Sequence, residues 1–263
     1  MTSMLKKPLG LLGVFLIIVG IGYFVGAGVA YSKTQDGYGS LEAFSAAQDV
    51  ELNYNEDGQL IDRGTTEGAE AIMSLLEDDW AFPVVMGKGG LDPNDPVVNN
   101  SSEYMYQMAT IVHHTLEGVQ MVTLTADDIA AAQESGALEP DGTYNGVVES
   151  YQGQVLEPGV YEVPVDGRYW TGFARTDLLD GPAREGAWSG TAHALVAELG
   201  VGATTHSALM LALGIAGLLA GLGVVCVVMG AAFLWESKRR YGVAAPAAIP
   251  EELLQDVPEK AGV

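Results

Sequence analysis

His113 and Glu117 stand four residues apart in a stretch whose apolar spacing predicts a helix, so their side chains share a face, with His114 beside them. An imidazole and a carboxylate at that spacing can hold a divalent metal. The pattern lacks the second histidine of H-E-x-x-H, so a complete site needs a further ligand supplied by the fold, and His193 and His206 are the remaining histidines. Tyr104, Met105, Tyr106 and Met108 lie one to three turns earlier. Thioether and imidazole together suit copper, whereas a Met and Tyr stripe at helical spacing also reads as core packing. His113, His114 and Glu117 are therefore the candidate metal ligands, and no cofactor is named by any motif.

Other chemistries find less footing. The chain has no G-x-S-x-G elbow or P-loop. The acid pairs Asp78-Asp79 and Asp127-Asp128 fall at predicted helix ends, where carboxylates cap helices, rather than in a glycosidase arrangement. Asn53, Asn55, Asp57 and Gly58 imitate the first half of a calcium loop, but Gly64 occupies the twelfth position where a bidentate Glu belongs, and a plain hairpin fits better. Asn99 and Asn100 each begin a formal glycosylation sequon. Cys226 is the single cysteine, which excludes an intrachain disulfide or a multi-cysteine metal centre.

These residues belong to a chain of 263 residues with a net charge of −22 and a pI near 4.2. Such acidity excludes nucleic-acid binding by bulk electrostatics. Mean hydropathy is nevertheless +0.19, so apolar and acidic segments are separated along the chain. No charged residue occurs from Leu9 to Tyr31, a stretch of 23 residues and long enough to cross a hydrocarbon core of roughly 30 Å. A second uncharged stretch runs from Leu199 to Trp235, longer than one crossing needs, so part of it is expected to stand outside the bilayer or pack on the domain.

Lys6 and Lys7 precede the first segment, and Lys238, Arg239 and Arg240 follow the second. Basic flanks favour the cytoplasmic side. The expected organisation is a cytoplasmic N-terminus over 1–8, a transmembrane helix over 9–31, an acidic extracytoplasmic domain over 32–206, a second transmembrane helix over 207–235, and a short, mostly disordered cytoplasmic tail over 236–263. Trp235 suits the inner interface, and His206 falls at the outer edge. A cleaved signal peptide, with Gly28-Val29-Ala30 before the cut, is the competing reading of the first segment. The expected domain carries 29 acids against six bases, so it holds essentially all the acidity.

Both segments are rich in small residues. Gly22 and Gly26 form one G-x-x-x-G, Gly217 and Gly221 another, and Ala212, Ala216 and Ala220 repeat at the same spacing. Such stripes let another helix approach closely, either the second span or a partner. No Asp, Glu, Lys, Arg or His lies within either span, which argues against a proton relay or ion path in this chain alone.

The domain between them reads as α+β, with a helical N-terminal half and a small antiparallel β C-terminal half. Residues 32–40 read as a polar linker. A hairpin turns at Asp57-Gly58. Thr66 is expected to cap a helix to about Asp79, with Ala69, Ile72, Met73 and Leu76 inward, and 86–99 is a loop. Asn100 with Glu103 forms a capping box for a helix to about Gly118. Val119–Leu124 reads as a strand, and Thr125 opens a short helix stopped by Gly136. Segments 147–151, 154–156, 159–163 and 168–173 read as short strands, Asp180-Gly-Pro-Ala as a break, and Thr191–Leu199 as a helix leading into the second span.

The functional expectation is a non-catalytic accessory or interaction subunit of a larger membrane assembly at the plasma membrane. It would contact the lipid bilayer and integral membrane partners through its small-residue faces, and not nucleic acid. One alternative is an extracytoplasmic ligand-binding or sensor module. Another is a metal-binding protein or enzyme centred on His113, His114 and Glu117.

Overall fold

The computed structural model describes residues 6–241. The chain is mixed helical with one small antiparallel sheet. Its helices are α1 (Lys6–Gln48), α2 (Thr66–Ser74), α3 (Ser101–Leu116), α4 (Ala126–Ser135), α5 (Asp180–Ala187) and α6 (Gly190–Tyr241), and its strands β1 (Val119–Leu124) and β2 (Gly159–Pro164). Helices α1 and α6 are long and apolar enough to cross a membrane. Contacts divide the chain into two compact units, one formed by α1 up to Asp36 with α6 from Met210, the other by Gly37–Leu209.

In the first unit the buried positions of α1 are Gly13, Gly20, Ala27 and Thr34, and those of α6 are Ala216, Gly223, Gly230 and Ser237. Both sets repeat every seven residues, the period that keeps one seam between two helices as they coil around each other. The helices run antiparallel: a Cβ on Gly13 would lie 2.8 Å from the Gly230 carbonyl oxygen, and one on Gly20 would lie 2.9 Å from that of Gly223. The backbones thus approach where side chains are absent. Large apolar side chains face outward from the seam, among them Leu11, Phe15, Ile18, Leu211, Leu218 and Val228.

In the second unit the helix of α1 runs on to Gln48, and residues 32–40 form no linker. Tertiary packing overrides their weak propensity. Leu41 is buried in the core, Ser45 is buried against α3, and Gly37 leaves room for Leu209 of α6. Likewise, the 199–209 part of α6 belongs to this unit, with Leu199 and Ala203 in its core. The helix stops at Asp49, whose φ of 53° is left-handed.

The expected hairpin is present as a single Tyr54–Leu60 bridge with a turn at Asp57-Gly58. Thr65, not Thr66, caps α2, its side chain accepting from the Gly68 N–H. Ala69, Ile72 and Leu76 are buried as expected, and Met73 is half-buried against the same core. A π turn over Leu75–Asp79 follows. The capping boxes of α3 (Asn100, Glu103) and α4 (Thr125, Asp128) are both formed, and Gly136 ends α4 at φ 77°.

The C-terminal half departs from expectation. Only 159–164 is a strand there, and it pairs with β1 from the preceding half, Val122 opposite Tyr161. Residues 149–151 and 170–172 are short 3₁₀ turns, 155 makes an isolated bridge, and Asp180-Gly-Pro-Ala opens α5 instead of breaking the chain. Side chains and local turns take up the backbone groups there. The Asp177 carboxylate accepts from the N–H groups of Val147, Leu179 and Asp180 and from the Tyr144 hydroxyl, while Asp180 accepts from the Ala174 N–H. Within the expected strands the backbone closes on itself, Tyr151 N–H to the Val148 carbonyl and Gly172 N–H to the Tyr169 carbonyl. Residues 1–5 and the expected disordered tail from Gly242 lie outside the described residues.

Candidate functional site

Helix α3 carries Glu103 in its first turn and His113 and His114 in its last, with Glu117 just past its end. Its N-terminal end is fixed by Tyr104, which is buried, reaches the Ser45 hydroxyl of α1 at 2.7 Å, and packs its ring where α6 has only Gly202. A Cβ on Gly202 would fall 2.7 Å from that ring. Ser101 of the same helix meets Ser207 of α6 at 2.9 Å. These contacts fix the N-terminal end of α3.

At its C-terminal end stand His113, His114 and Glu117. The first and last meet as the spacing implies: His113 Nε2 lies 2.6 Å from Glu117 Oε1. His114 turns elsewhere, its Nε2 2.9 Å from Asp62 Oδ2, and Arg63 reaches Glu117 at 3.4 Å. The two imidazoles are 5.8 Å apart between centroids. Each is thus engaged by a different carboxylate, and together with Arg63 they fasten the segment before α2 to the end of α3. Among the described residues, no three His, Cys, Asp or Glu side chains gather in a way that could hold a metal ion. His193 lies edge-on to Trp170 at 4.7 Å, and His206 edge-on to Tyr38 at 5.7 Å. Neither joins the α3 pair.

The N-terminal end of α3 holds the most unusual environment. Glu103 is 1% exposed. Its Oε2 accepts the N–H groups of Asn99 and Asn100 at 2.8 and 3.1 Å, completing the capping box, while Oε1 is buried with no hydrogen-bond partner. Burial lifts its carboxyl to about 7; the two N–H donors oppose that rise and the charge of Asp95 adds to it. The hydroxyls of Tyr54 and Tyr106 are likewise buried without partners. Burial, then the charge of Glu103, then that of Asp92, push the Tyr54 phenol up to about 12, and burial and Asp62 raise that of Tyr106.

Tyr54 also lines a cleft of about 400 Å³, walled by the hairpin at Gly58–Leu60, by Ala69 and Met73 of α2, and by Met86 and Leu91 of the following loop. Glu70, Gln59 and Thr66 supply its polar rim. A mostly apolar cleft with a few polar groups suits a small ligand or an inserted side chain.

One cluster escaped the sequence reading. Arg184, 3% exposed, lays its guanidinium 3.4 Å from the Trp170 ring centroid. Arg168 stacks on Phe173 and pairs with buried Asp180 at 2.7 Å, and Trp188 donates its indole N–H to the Arg168 carbonyl. These cation–π and ion-pair contacts knit α5 to the 168–173 turn. No spacing in the sequence signals them, because the partners come from different turns.

The small residues singled out in the two spans divide. Ala216 lies in the seam, and a Cβ on Gly26 would lie 3.8 Å from Leu219. Ala212 and Ala220 are half-buried beside it. Gly22, Gly217 and Gly221 have no neighbour within 4 Å of a Cβ. The seam glycines themselves, Gly13, Gly20, Gly223 and Gly230, were missed because the four-residue motif was sought rather than the seven-residue repeat.

No family model matches the chain, no curated protein matches it, and no solved structure matches it.

Proposed function

We propose that the protein is a two-span plasma-membrane protein with both termini cytoplasmic and residues 32–206 outside, acting as a non-catalytic accessory or interaction subunit of a larger membrane assembly. The observation that carries this reading is the division of labour among the small residues of the first unit. The α1–α6 pair satisfies itself through Gly13, Gly20, Gly223 and Gly230. That leaves a second set, Gly22, Gly217 and Gly221, bare on the outer surface amid large apolar side chains. An isolated anchor has no use for a second close-approach face, whereas a subunit that docks against another membrane helix does.

The acidic domain, with Glu103 and the histidines each tied into capping or cross-linking contacts, supports a presenting and binding role over a catalytic one. The test is gentle detergent extraction followed by intact and digested mass analysis. Stoichiometric membrane partners are the expected result; a lone, monodisperse chain would overturn the reading. Protease access to either terminus from outside would overturn the topology.

A second reading, an extracytoplasmic ligand-binding module, is favoured by one observation, the cleft of about 400 Å³ beside Tyr54. It would be supported by saturable protection of Met73 and Met86 from oxidation in the presence of a bound compound.

A further inference from the structure

We infer that Glu103 is a proton-controlled latch on the 84–99 loop, closed while its carboxyl carries a proton and loosened when it ionises. The argument starts from what the carboxyl touches. It is 1% exposed, and its Oε2 receives the N–H groups of Asn99 and Asn100, the last two residues before α3. Oε1 has no partner. Among the described residues no Lys, Arg or His lies within ion-pairing distance of it.

The charged and titratable groups that act on this site are mostly of one sign. Asp95 acts on Glu103 from the loop itself, and Glu103 in turn raises the Tyr54 phenol of the hairpin segment. Asp92, also on the loop, acts on Tyr54, and Lys88 acts on Asp92 rather than on Glu103. From α1 and α6 the neighbouring contacts to this end of α3 are hydroxyls, Ser45 with Tyr104 and Ser207 with Ser101. An ionised Glu103 therefore sits buried, half-solvated by two N–H groups, and beside another carboxylate. A protonated Glu103 keeps both N–H bonds and places no charge in the interior.

The loop is the element bonded directly to the carboxyl, and its Leu91 and Val98 are buried in the core. It is held near Glu103 by six bonds: Val85 N–H to the Ser102 hydroxyl, Val98 N–H to the Val50 carbonyl, Leu52 N–H to the Pro96 carbonyl, Asn100 side-chain N–H to the Gly90 carbonyl, and the two Glu103 bonds. It also supplies one wall of the cleft, through Met86, Gly87, Leu91 and Pro93. Loosening it admits water to the carboxylate and widens the cleft in the same motion. The latch thus makes access to that cleft depend on proton concentration near neutrality.

The test is hydrogen exchange on the full chain in detergent at pH 6, 7 and 8, corrected for intrinsic chemical exchange. Protection of the amides of Val85, Leu91, Asn99 and Asn100 is expected to fall about tenfold from pH 6 to pH 8 and to lie below that of Val122 and Val163 in the sheet at every pH, because the loop opens without the sheet. In Glu103→Gln, which keeps an acceptor for the two N–H groups and carries no charge, the pH dependence is expected to vanish. Unchanged loop protection in the wild-type chain would overturn the latch. So would equal protection in loop and sheet, which marks opening by global unfolding alone, or an undiminished pH dependence in Glu103→Gln. The wild-type comparison of loop against sheet stands even if the variant folds poorly.

Discussion

Gly20 and Gly223 face each other so closely that a methyl carbon on the first would lie 2.9 Å from the carbonyl oxygen of the second, and one on the second 3.1 Å from that of the first. The same reciprocity joins Gly13 and Gly230, at 2.8 and 2.6 Å. In each case the obstacle is backbone, which cannot rotate away as a side chain can. The pairing of the two long helices therefore depends on four absent side chains.

Replacing Gly20 or Gly230 by Leu is expected to destabilise the detergent-solubilised protein by about 1–3 kcal/mol, the usual cost of overpacking. Gly22→Leu, on an open face, is expected to stay within about 0.5 kcal/mol of wild type. Thermal unfolding followed by circular dichroism measures both. Equal effects of Gly20→Leu and Gly22→Leu would contradict the seam.

Gly217→Leu and Gly221→Leu separate folding from assembly. Both positions are open, so stability is expected to hold while the recovery of co-purifying membrane partners drops several-fold. Quantitative mass analysis of matched extracts gives the comparison. Partner recovery unaffected by both substitutions would remove these glycines from the docking face.

The helix caps give a sharp local test. Asn100→Ala is expected to cost about 1–2 kcal/mol, because its side chain accepts two N–H bonds and its amide donates to Gly90. Thr65→Ala should cost about 1 kcal/mol and Thr66→Ala much less, since only Thr65 caps α2. Chemical denaturation of the three variants ranks them; a larger loss at Thr66 would move the cap.

Stability should depend on pH through Glu103. Its folded carboxyl titrates at about 7, against about 4.5 for an ordinary glutamate. The folded state thus binds a proton more tightly, and its stabilising contribution is complete below about 4.5 and lost as pH rises through 7. Glu103→Gln is expected to be more stable than wild type at pH 8 by about 1–3 kcal/mol and nearly equal to it at pH 5. At the acid end the sign reverses. The Asp92, Asp128 and Asp141 carboxylates are held low by donors from Asn94, Thr125 and Thr143, so their contribution is lost as pH falls through and below the usual carboxylate range. Unfolding midpoints from pH 3 to 9 trace both limbs.

The histidine end of α3 invites a metal test. His113 and His114 are held by Glu117 and Asp62, and Arg63 shares Glu117. A structural role for this set leaves the melting temperature unchanged on dialysis against EDTA, whereas Asp62→Ala lowers stability by about 1 kcal/mol. A fall in melting temperature with EDTA, restored by zinc or copper and absent in His113→Ala, would instead mark a bound metal.

The two long apolar helices, the capping boxes at Asn100 and Thr125, the stop at Gly136, the turn at Asp57-Gly58 and the strand at 119–124 were all legible in the sequence. Each is set by neighbours within a few residues: hydropathy over a span, an acceptor three positions before a donor, a glycine where φ must be positive. The i, i+4 contact between His113 and Glu117 was legible for the same reason. What the tertiary structure alone decided joins residues far apart in the chain. Residues 32–40 look like a linker until Leu41 and Ser45 are buried against the domain. Segments 147–151 and 168–173 look like strands until each closes into a 3₁₀ turn and Asp177 takes the Val147 N–H. His114 turns to Asp62, and Glu103, a routine capping residue by sequence, becomes a buried acid only because its segment is covered. Gly13 and Gly20 acquire meaning only from Gly230 and Gly223, since a helix seam is a property of two surfaces, and no single segment encodes the face that its partner will occupy.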